Sequence, residues 1–344
     1  MIAQATDCFG AHELTANAPV ERDDVALLVA RRSDGSLTNA CFGELPGFLR
    51  EGDLLVVNTS ATLAAALGAR LDGEPVDLHL STPVGAQGVG PAGDEPWVVE
   101  LRTADRRPLR APRDGARIEL PDGASATLLA PYLGSSRLSV AALSLDVPVE
   151  EYLARHGRPI RYRHSPSLTI EDYQTVFARD PGSAEMPSAA RPFSPELVTE
   201  LVTRGVLIAP ITLHCGVSSL EAGESPYPER YRVPAETARL TGAVRGWGGR
   251  VIAIGTTVVR ALETAAADNG AVSPASGLTN LLVTPRRGVH AVDGLLTGWH
   301  EPESSHLQLL EAVAGPALLG RSYGTARAAG YRFHEFGDSH LILP

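Results

Sequence analysis

Cysteine is scarce in this chain of 344 residues: there are three, Cys8, Cys41 and Cys215, odd in number and far apart. So few build neither a disulfide framework nor a cysteine-rich zinc site, and reducing surroundings suit the chain best. Positive charge is also in deficit. Thirty Lys and Arg against forty Asp and Glu leave a formal charge of −10, which excludes a broad electrostatic grip on a phosphate backbone. A nucleic-acid partner must then be held by a local basic patch. Long apolar runs are missing too, since the small-apolar stretch Ala61–Ala69 falls well short of the roughly 20 residues a membrane helix needs. The opening residues Met1–Asp7 carry no basic segment followed by an apolar core, so no cleaved signal is expected and the protein is read as cytoplasmic. No internal repeat and no low-complexity tract is visible.

What the chain does have is 44% hydrophobic residues over a length that suits two domains better than one core. Val25–Val29 and Leu54–Val57 read as buried strands. From about 70 to 147 the character changes to short runs between Gly and Pro: Pro75–Leu80, Trp97–Arg102, Ala116–Leu120, Ala124–Leu129 and Arg137–Ala142. That spacing predicts a small antiparallel barrel or sandwich, with Pro83–Pro96 as a surface loop. Afterwards helices are predicted at Val149–His156, Ser194–Arg204, Ala235–Trp247, Thr257–Ala267 and Leu307–Ala314. Ser194 caps the second, Pro195 opens it and Gly205 stops it. Strands are predicted at Val206–Leu213, Val251–Ile254, Leu281–Thr284 and Ser339–Leu343. The expected architecture is an α/β main domain with a mixed sheet, 1–69 and 148–344, interrupted by an inserted all-β barrel-like domain, 70–147.

The strand Val251–Ile254 runs through Gly255-Thr256-Thr257 into a helix. Unpaired amides and the positive dipole end there suit a carboxylate or a nucleoside-like ligand, although the commoner role of such threonines is to cap. Arg260, one turn on, can return its guanidinium to a ligand at that helix start, or pair with Glu263 or another acid. His214 ends the strand Val206–Leu213, where it is either a general acid or base or a histidine hydrogen-bonded at a strand end. His300 and His306 with Glu301 and Glu303 match no standard zinc spacing, and Pro302 breaks a helical face, so no metal is expected; Ser304 or Ser305 reads better as a helix cap. Gly337-Asp338 reads as the turn into the last strand.

Taken in order, Gly255–Glu263, Val292-Asp293, Thr297–Ser304, Tyr331-Arg332-Phe333 and Gly337-Asp338 carry a resemblance that none of them carries alone. Upstream it extends to Gly52–Asn58, Tyr173–Phe177, Gly205-Val206, Thr212-Leu213-His214 and Tyr231–Pro234 with Thr237-Ala238. The chain resembles the S-adenosylmethionine:tRNA ribosyltransferase-isomerases of queuosine synthesis. The resemblance implies an α/β domain with an inserted β-barrel. It also implies that the ribosyl portion of S-adenosylmethionine passes to an aminomethyl-deazaguanine base in tRNA and rearranges to an epoxycyclopentanediol, with release of adenine and methionine. S-adenosylmethionine is then the ribosyl donor substrate, tRNA the partner, and no metal takes part. His214, His300 and Asp338 become the catalytic candidates; Asn58, Gly255, Thr256, Thr257 and Arg260 the substrate-binding ones.

The chain departs from the family's pattern at four places. Asn-Asp-Thr-Arg is replaced by Asn58-Thr59-Ser60-Ala61, and Thr-Ala-Gly-Leu-His-Phe by Ser188-Ala189-Ala190-Arg191-Pro192-Phe193. His-Val-Gly-Ala-Gly-Thr-Phe becomes His214-Cys215-Gly216-Val217-Ser218-Ser219-Leu220, and the His-containing stretch before Glu-x-Tyr becomes Tyr227–Tyr231. Two alternatives follow from these losses: a paralogue that uses S-adenosylmethionine with a small-molecule acceptor, or a non-catalytic binding protein on the same scaffold.

Overall fold

The run Leu54–Asn58 points its side chains alternately to two faces, and all five are buried. Leu54 and Val56 join one core with Ile211, Val251 and Leu295; Leu55 and Val57 join another with Ile252, Ile254 and Leu296. A strand apolar on both sides belongs in the middle of a sheet covered on both faces. In the computed structural model, residues 22, 25–85, 95–161, 168–217, 226–300, 306–333 and 335–344 are described, and a nine-stranded mixed sheet has Leu54–Asn58 near its centre. Its strand order is Ala275–Thr279, Glu229–Val233, Leu207–Leu213, Leu54–Asn58, Val251–Ile254, Gly294–Gly298, Ser339–Leu343, Ala26–Arg31 and Leu37–Cys41.

The four strands from Leu207–Leu213 to Gly294–Gly298 are parallel. Ser339–Leu343 runs antiparallel to Gly294–Gly298 and parallel to Ala26–Arg31. One face is covered through Val258, Leu262, Leu310 and Tyr323 of the helices Thr256–Thr264, His306–Ala314 and Pro316–Ala328; the other through Phe193 and the helix Pro195–Thr203. Ser194 caps that last helix by accepting from the Leu197 amide at 3.2 Å, and Gly205, at φ 78°, ends the turn after it. The later parallel partners of Leu54–Asn58 lie on opposite sides of it, which opens a crevice beyond the strand carboxyl ends.

The second sheet closes on itself. Ala66–Leu71, Glu74–Pro83, Trp97–Thr103, Leu138–Ser144, Ser125–Pro131 and Arg117–Glu119 pair in that order, and Arg117–Glu119 pairs back onto the far half of Ala66–Leu71, while Gly157–Arg158 fills the near half. Leu78, Val99, Ile118 and Leu128 fill the interior with Tyr152 and Leu153 of the helix Val149–His156. A fully buried Glu100 is held by Arg102 at 2.8 Å and Arg137 at 3.0 Å. Burial alone would raise its pKa, but His79, whose Nδ1 is 3.7 Å away, the hydrogen bonds from Arg102 and the charges of Arg102 and Arg137 outweigh it and bring the carboxyl down to about 2. The expected architecture, a mixed α/β sheet with a barrel, is the one observed.

Two details differ from the sequence reading. Leu281–Thr284 is not a strand: the Leu281 carbonyl accepts from the Arg260 side chain, and the Thr284 carbonyl closes a turn after Pro285 by accepting from Arg287 and Gly288. The sheet uses Ala275–Thr279 and Gly294–Gly298 instead, where Gly and Thr weaken the apolar alternation that marks a strand. The helix Pro316–Ala328 has no clear signal in the sequence, because Gly320 and Gly324 dilute its pattern. Among the described residues no helix is long and apolar enough to cross a membrane.

Candidate functional site

The main sheet brings the sequence candidates to one edge. Asn58 ends its strand, His214 follows Leu213, Gly255 follows Ile254, His300 lies two residues past Gly298, and Asp338 precedes the antiparallel strand that starts at Ser339. Asn58 is fully buried and ties two of these strand ends together: its amide donates to the Leu213 carbonyl at 2.8 Å, and its oxygen accepts from the Leu213 and Ser60 amides at 3.0 and 3.1 Å. Its Nδ2 also reaches Thr257 Oγ1 at 3.4 Å.

Neither Thr256 nor Thr257 is the cap of its helix. Gly255 takes that position at φ 98°, a backbone that excludes side chains, and a Cβ there would meet Ala189 Cβ at 3.3 Å. The side-chain cap read from sequence is therefore absent, and Thr257, whose hydroxyl accepts from Asn58, lines the cleft. The Val258 and Val259 amides donate to the Gly255 carbonyl at 3.2 and 3.3 Å, so the amides of Thr256 and Thr257 remain the donors at this end.

His214 is set by a short hydroxyl chain. Its Nδ1 lies 2.7 Å from Ser60 Oγ, which lies 2.6 Å from Ser183 Oγ, which accepts from the Cys215 amide at 2.9 Å. Both serines are buried. Since Ser183 already accepts from an amide, its own hydrogen finds its acceptor in Ser60, and the Ser60 hydrogen then goes to Nδ1. The reverse direction would leave the Ser183 hydrogen buried without an acceptor. His214 is thus neutral with its proton on Nε2, and burial, followed by the charge of Arg230 and opposed by Asp180, pushes its pKa down to about 4.

A cleft between the barrel and the sheet lies beside this group. Val98, Tyr132 and Leu138 of the barrel face Cys215–Val217, Tyr227–Glu229, Thr257, Leu281–Val283, His306 and Leu309. Arg260 lines it as well, but its guanidinium is engaged: it pairs with the buried carboxylate of Glu229 and donates to the carbonyls of Leu281 at 3.2 Å and Thr279 at 3.3 Å. The partner is Glu229 and not Glu263, which instead holds Arg287 at 2.6 Å and accepts from the His290 and Ala291 amides.

His300 Nε2 is 3.0 Å from Thr297 Oγ1, and its ring stacks on His306 with centroids 4.6 Å apart and planes 7° apart. Burial, with the neighbouring His306 and His340, holds His300 well below its usual pKa; burial and the charge of Arg260 push His306 down to about 4. Asp338 stands apart from the cleft. Its carboxylate accepts from the Ala26 amide at 2.9 Å and the Arg332 amide at 2.8 Å and pairs with the Arg332 side chain at 2.8 Å. Among the described residues no group of three or more His, Cys, Asp or Glu could hold a metal. The readings placed on Glu301, Glu303, Ser304, Ser305 and Ser218–Leu220 lie outside the described residues.

The family model for the queuosine biosynthesis protein matches residues 11–342. The chain belongs to the queuosine biosynthesis family. Among its relatives are S-adenosylmethionine:tRNA ribosyltransferase-isomerases of Symbiobacterium thermophilum, 38% identical over 96% of each chain, and of Acidithiobacillus ferrooxidans, 38% identical over 96% of this chain and 95% of that one. The solved S-adenosylmethionine tRNA ribosyltransferase of Thermotoga maritima superposes with a TM-score of 0.52 at 28% identity, over 96% of this chain and 99% of that chain. Within the family fold, sequence reasoning missed Ser60, Ser183, Glu229 and Arg191. Ser60 and Ser183 are too common a residue type to stand out, and what pairs them is the parallel contact between Ser60–Thr62 and Asp180–Ser183. Glu229 and Arg191 had a signal, being charged residues inside family motifs, but their burial is visible only in three dimensions.

Proposed function

We propose that this chain is an S-adenosylmethionine:tRNA ribosyltransferase-isomerase acting in the cytoplasm. It transfers the ribosyl portion of S-adenosylmethionine to the deazaguanine queuosine precursor in tRNA, isomerises it, and releases adenine and methionine. The observation that carries the reading is the 38% identity over 96% of both chains to a relative of that name. The cleft suits the donor: apolar walls, two tyrosines whose ring centroids are 5.8 Å apart, and a few convergent polar groups at Thr257, Glu229 and His306. Mass spectrometry after incubation with labelled S-adenosylmethionine and precursor-bearing tRNA should show adenine and methionine released in equal amounts and the tRNA correspondingly heavier. No release with competent tRNA removes the reading.

The positively charged sulfonium acidifies the adjoining ribose carbon, so the chemistry requires a proton acceptor there and hydrogen-bond donors where charge develops as adenine departs. Of the candidates, His306 lines the cleft as a neutral imidazole, stacked on His300, and we assign it the proton acceptor's role. His214, with its proton on Nε2, is assigned as a donor. His306→Phe keeps the stack and removes the nitrogens, so turnover should fall by about 10²–10⁴ with donor binding retained. His214→Ala should lose about 10²–10³, whereas His214→Gln, which restores a donor, should stay within about tenfold of the parent. Equal losses in His214→Ala and His214→Gln would show that it acts as a base.

A further inference from the structure

Among the described residues the buried carboxylates and guanidinium groups are matched by an opposite charge, with one exception at the sheet edge. Arg191 is 5% exposed, yet among the described residues its guanidinium forms no ion pair and no hydrogen bond. It rests on the ring of Phe336, 4.8 Å from the centroid. A guanidinium taken out of water without an anion is a standing cost to a fold, and a cation–π contact offsets only part of it. The same residue lines a small cavity with Ser188, Gly298, Glu335, Asp338 and Ser339. Of the two carboxylates there, Asp338 is spent on Arg332 and the Ala26 amide. Among the described residues a further cation, Arg22, donates to backbone oxygens of Glu171, Gln174 and Arg191. Arg191 is thus the guanidinium that lines this polar cavity, and the charges of Arg22 and Arg332 act on it against those of Asp172 and Glu335. The cavity also adjoins the other site, because Ala189, beside Ser188, packs against Gly255 at the start of the helix that lines the cleft.

We propose that Arg191 anchors an oxyanion site in this cavity, which takes a singly charged anion with two free oxygens: a phosphodiester of an RNA backbone or the carboxylate of an amino-acid-bearing substrate. Guanidinium is the cation best matched to either, by two parallel N–H donors. Naming those two sources rests on the proposed function; the anion site itself does not.

The test compares the full-length parent with Arg191→Met and Arg191→Lys. Without added anion, Arg191→Met should melt a few degrees above the parent, since it replaces an uncompensated charge with an apolar chain of similar length. Inorganic phosphate, added against chloride of equal ionic strength, should raise the melting midpoint of the parent, less so that of Arg191→Lys, and not that of Arg191→Met. A phosphodiester source then shows as tRNA affinity about tenfold weaker in Arg191→Met with a salt slope smaller by about 1. A carboxylate source shows as S-adenosylmethionine affinity about tenfold weaker with the tRNA salt slope unchanged. An Arg191→Met variant that melts below the parent and responds to phosphate as the parent does would overturn the proposal and leave Arg191 a prop for Phe336. Should the parent bind neither tRNA nor S-adenosylmethionine, the functional reading fails, while the phosphate response still decides the site.

Discussion

Arg260→Ala should cost the fold about 3–5 kcal/mol, the usual consequence of removing one member of a buried ion pair. Arg260 leaves the helix Thr256–Thr264, pairs with Glu229 on one strand, and donates to Thr279 at the end of the next and to Leu281 beyond it. Glu229 Oε1 also accepts from the Gly216 amide at 3.1 Å. Without Arg260 this carboxylate keeps its burial and loses its counter-charge, and two carbonyls lose a donor. Glu229→Met combined with Arg260→Met should recover much of the loss, because well-packed apolar replacements of a buried pair are often neutral. Urea unfolding of the single and double variants measures both. A loss below about 1 kcal/mol in Arg260→Ala would mean that water reaches the pair and screens it. The same experiment bears on the donor cleft, since a guanidinium committed to Glu229 is a wall of the cleft before it is a ligand.

Acidification should weaken the fold well before its carboxylates titrate. Burial pushes His340 down to about 3, and His214 and His306 down to about 4, for which burial is again the first cause. All three folded-state values lie below the unfolded value near 6.5, so above that pH neither state is protonated and the histidines contribute nothing to the pH dependence. As pH falls from about 6.5 the unfolded chain binds protons that the native state refuses, and stability drops until the folded values are passed. Glu100, held at about 2, works in a lower window: its contribution is present above about 4.5 and is lost toward 2. Between pH 7 and 5 the histidines therefore act without it. His340 is fully buried, stacks on Trp299 with centroids 4.7 Å apart and planes 9° apart, and among the described residues neither ring nitrogen has a hydrogen-bond partner. It alone should cost about 2 kcal/mol by pH 5. His340→Phe keeps the stack and removes the nitrogens, so its urea midpoint should fall less between pH 7 and 5 than that of the parent. Parallel pH profiles would show that His340 is protonated in the native state at pH 5.

What the sequence by itself determined was whatever depends on neighbours along the chain. Leu54–Asn58 is an apolar run that any fold must cover on both faces, Ser194-Pro195 starts a helix wherever it sits, and Gly255 marks a strand-to-helix turn that only glycine fits. The ordered motifs from Gly52 to Asp338 carried the family, because an ordered set of short matches over the whole chain is specific where each one is not. What only the tertiary structure decided was every partnership across distance. Ser60 and Ser183, 123 residues apart, set the tautomer of His214; Glu229 claims Arg260 from 31 residues away; Asp338 is spent on an amide 312 residues before it. The physical reason is the same in each case. Capping, turn geometry and burial periodicity are local and repeat along the chain, whereas the state of an ionisable group depends on its desolvation and on which charges and donors the fold packs against it. Arg191 is the sharpest instance: in the sequence it is one arginine among many, and only its burial beside Phe336, without an ion pair among the described residues, turns it into a candidate for binding an anion.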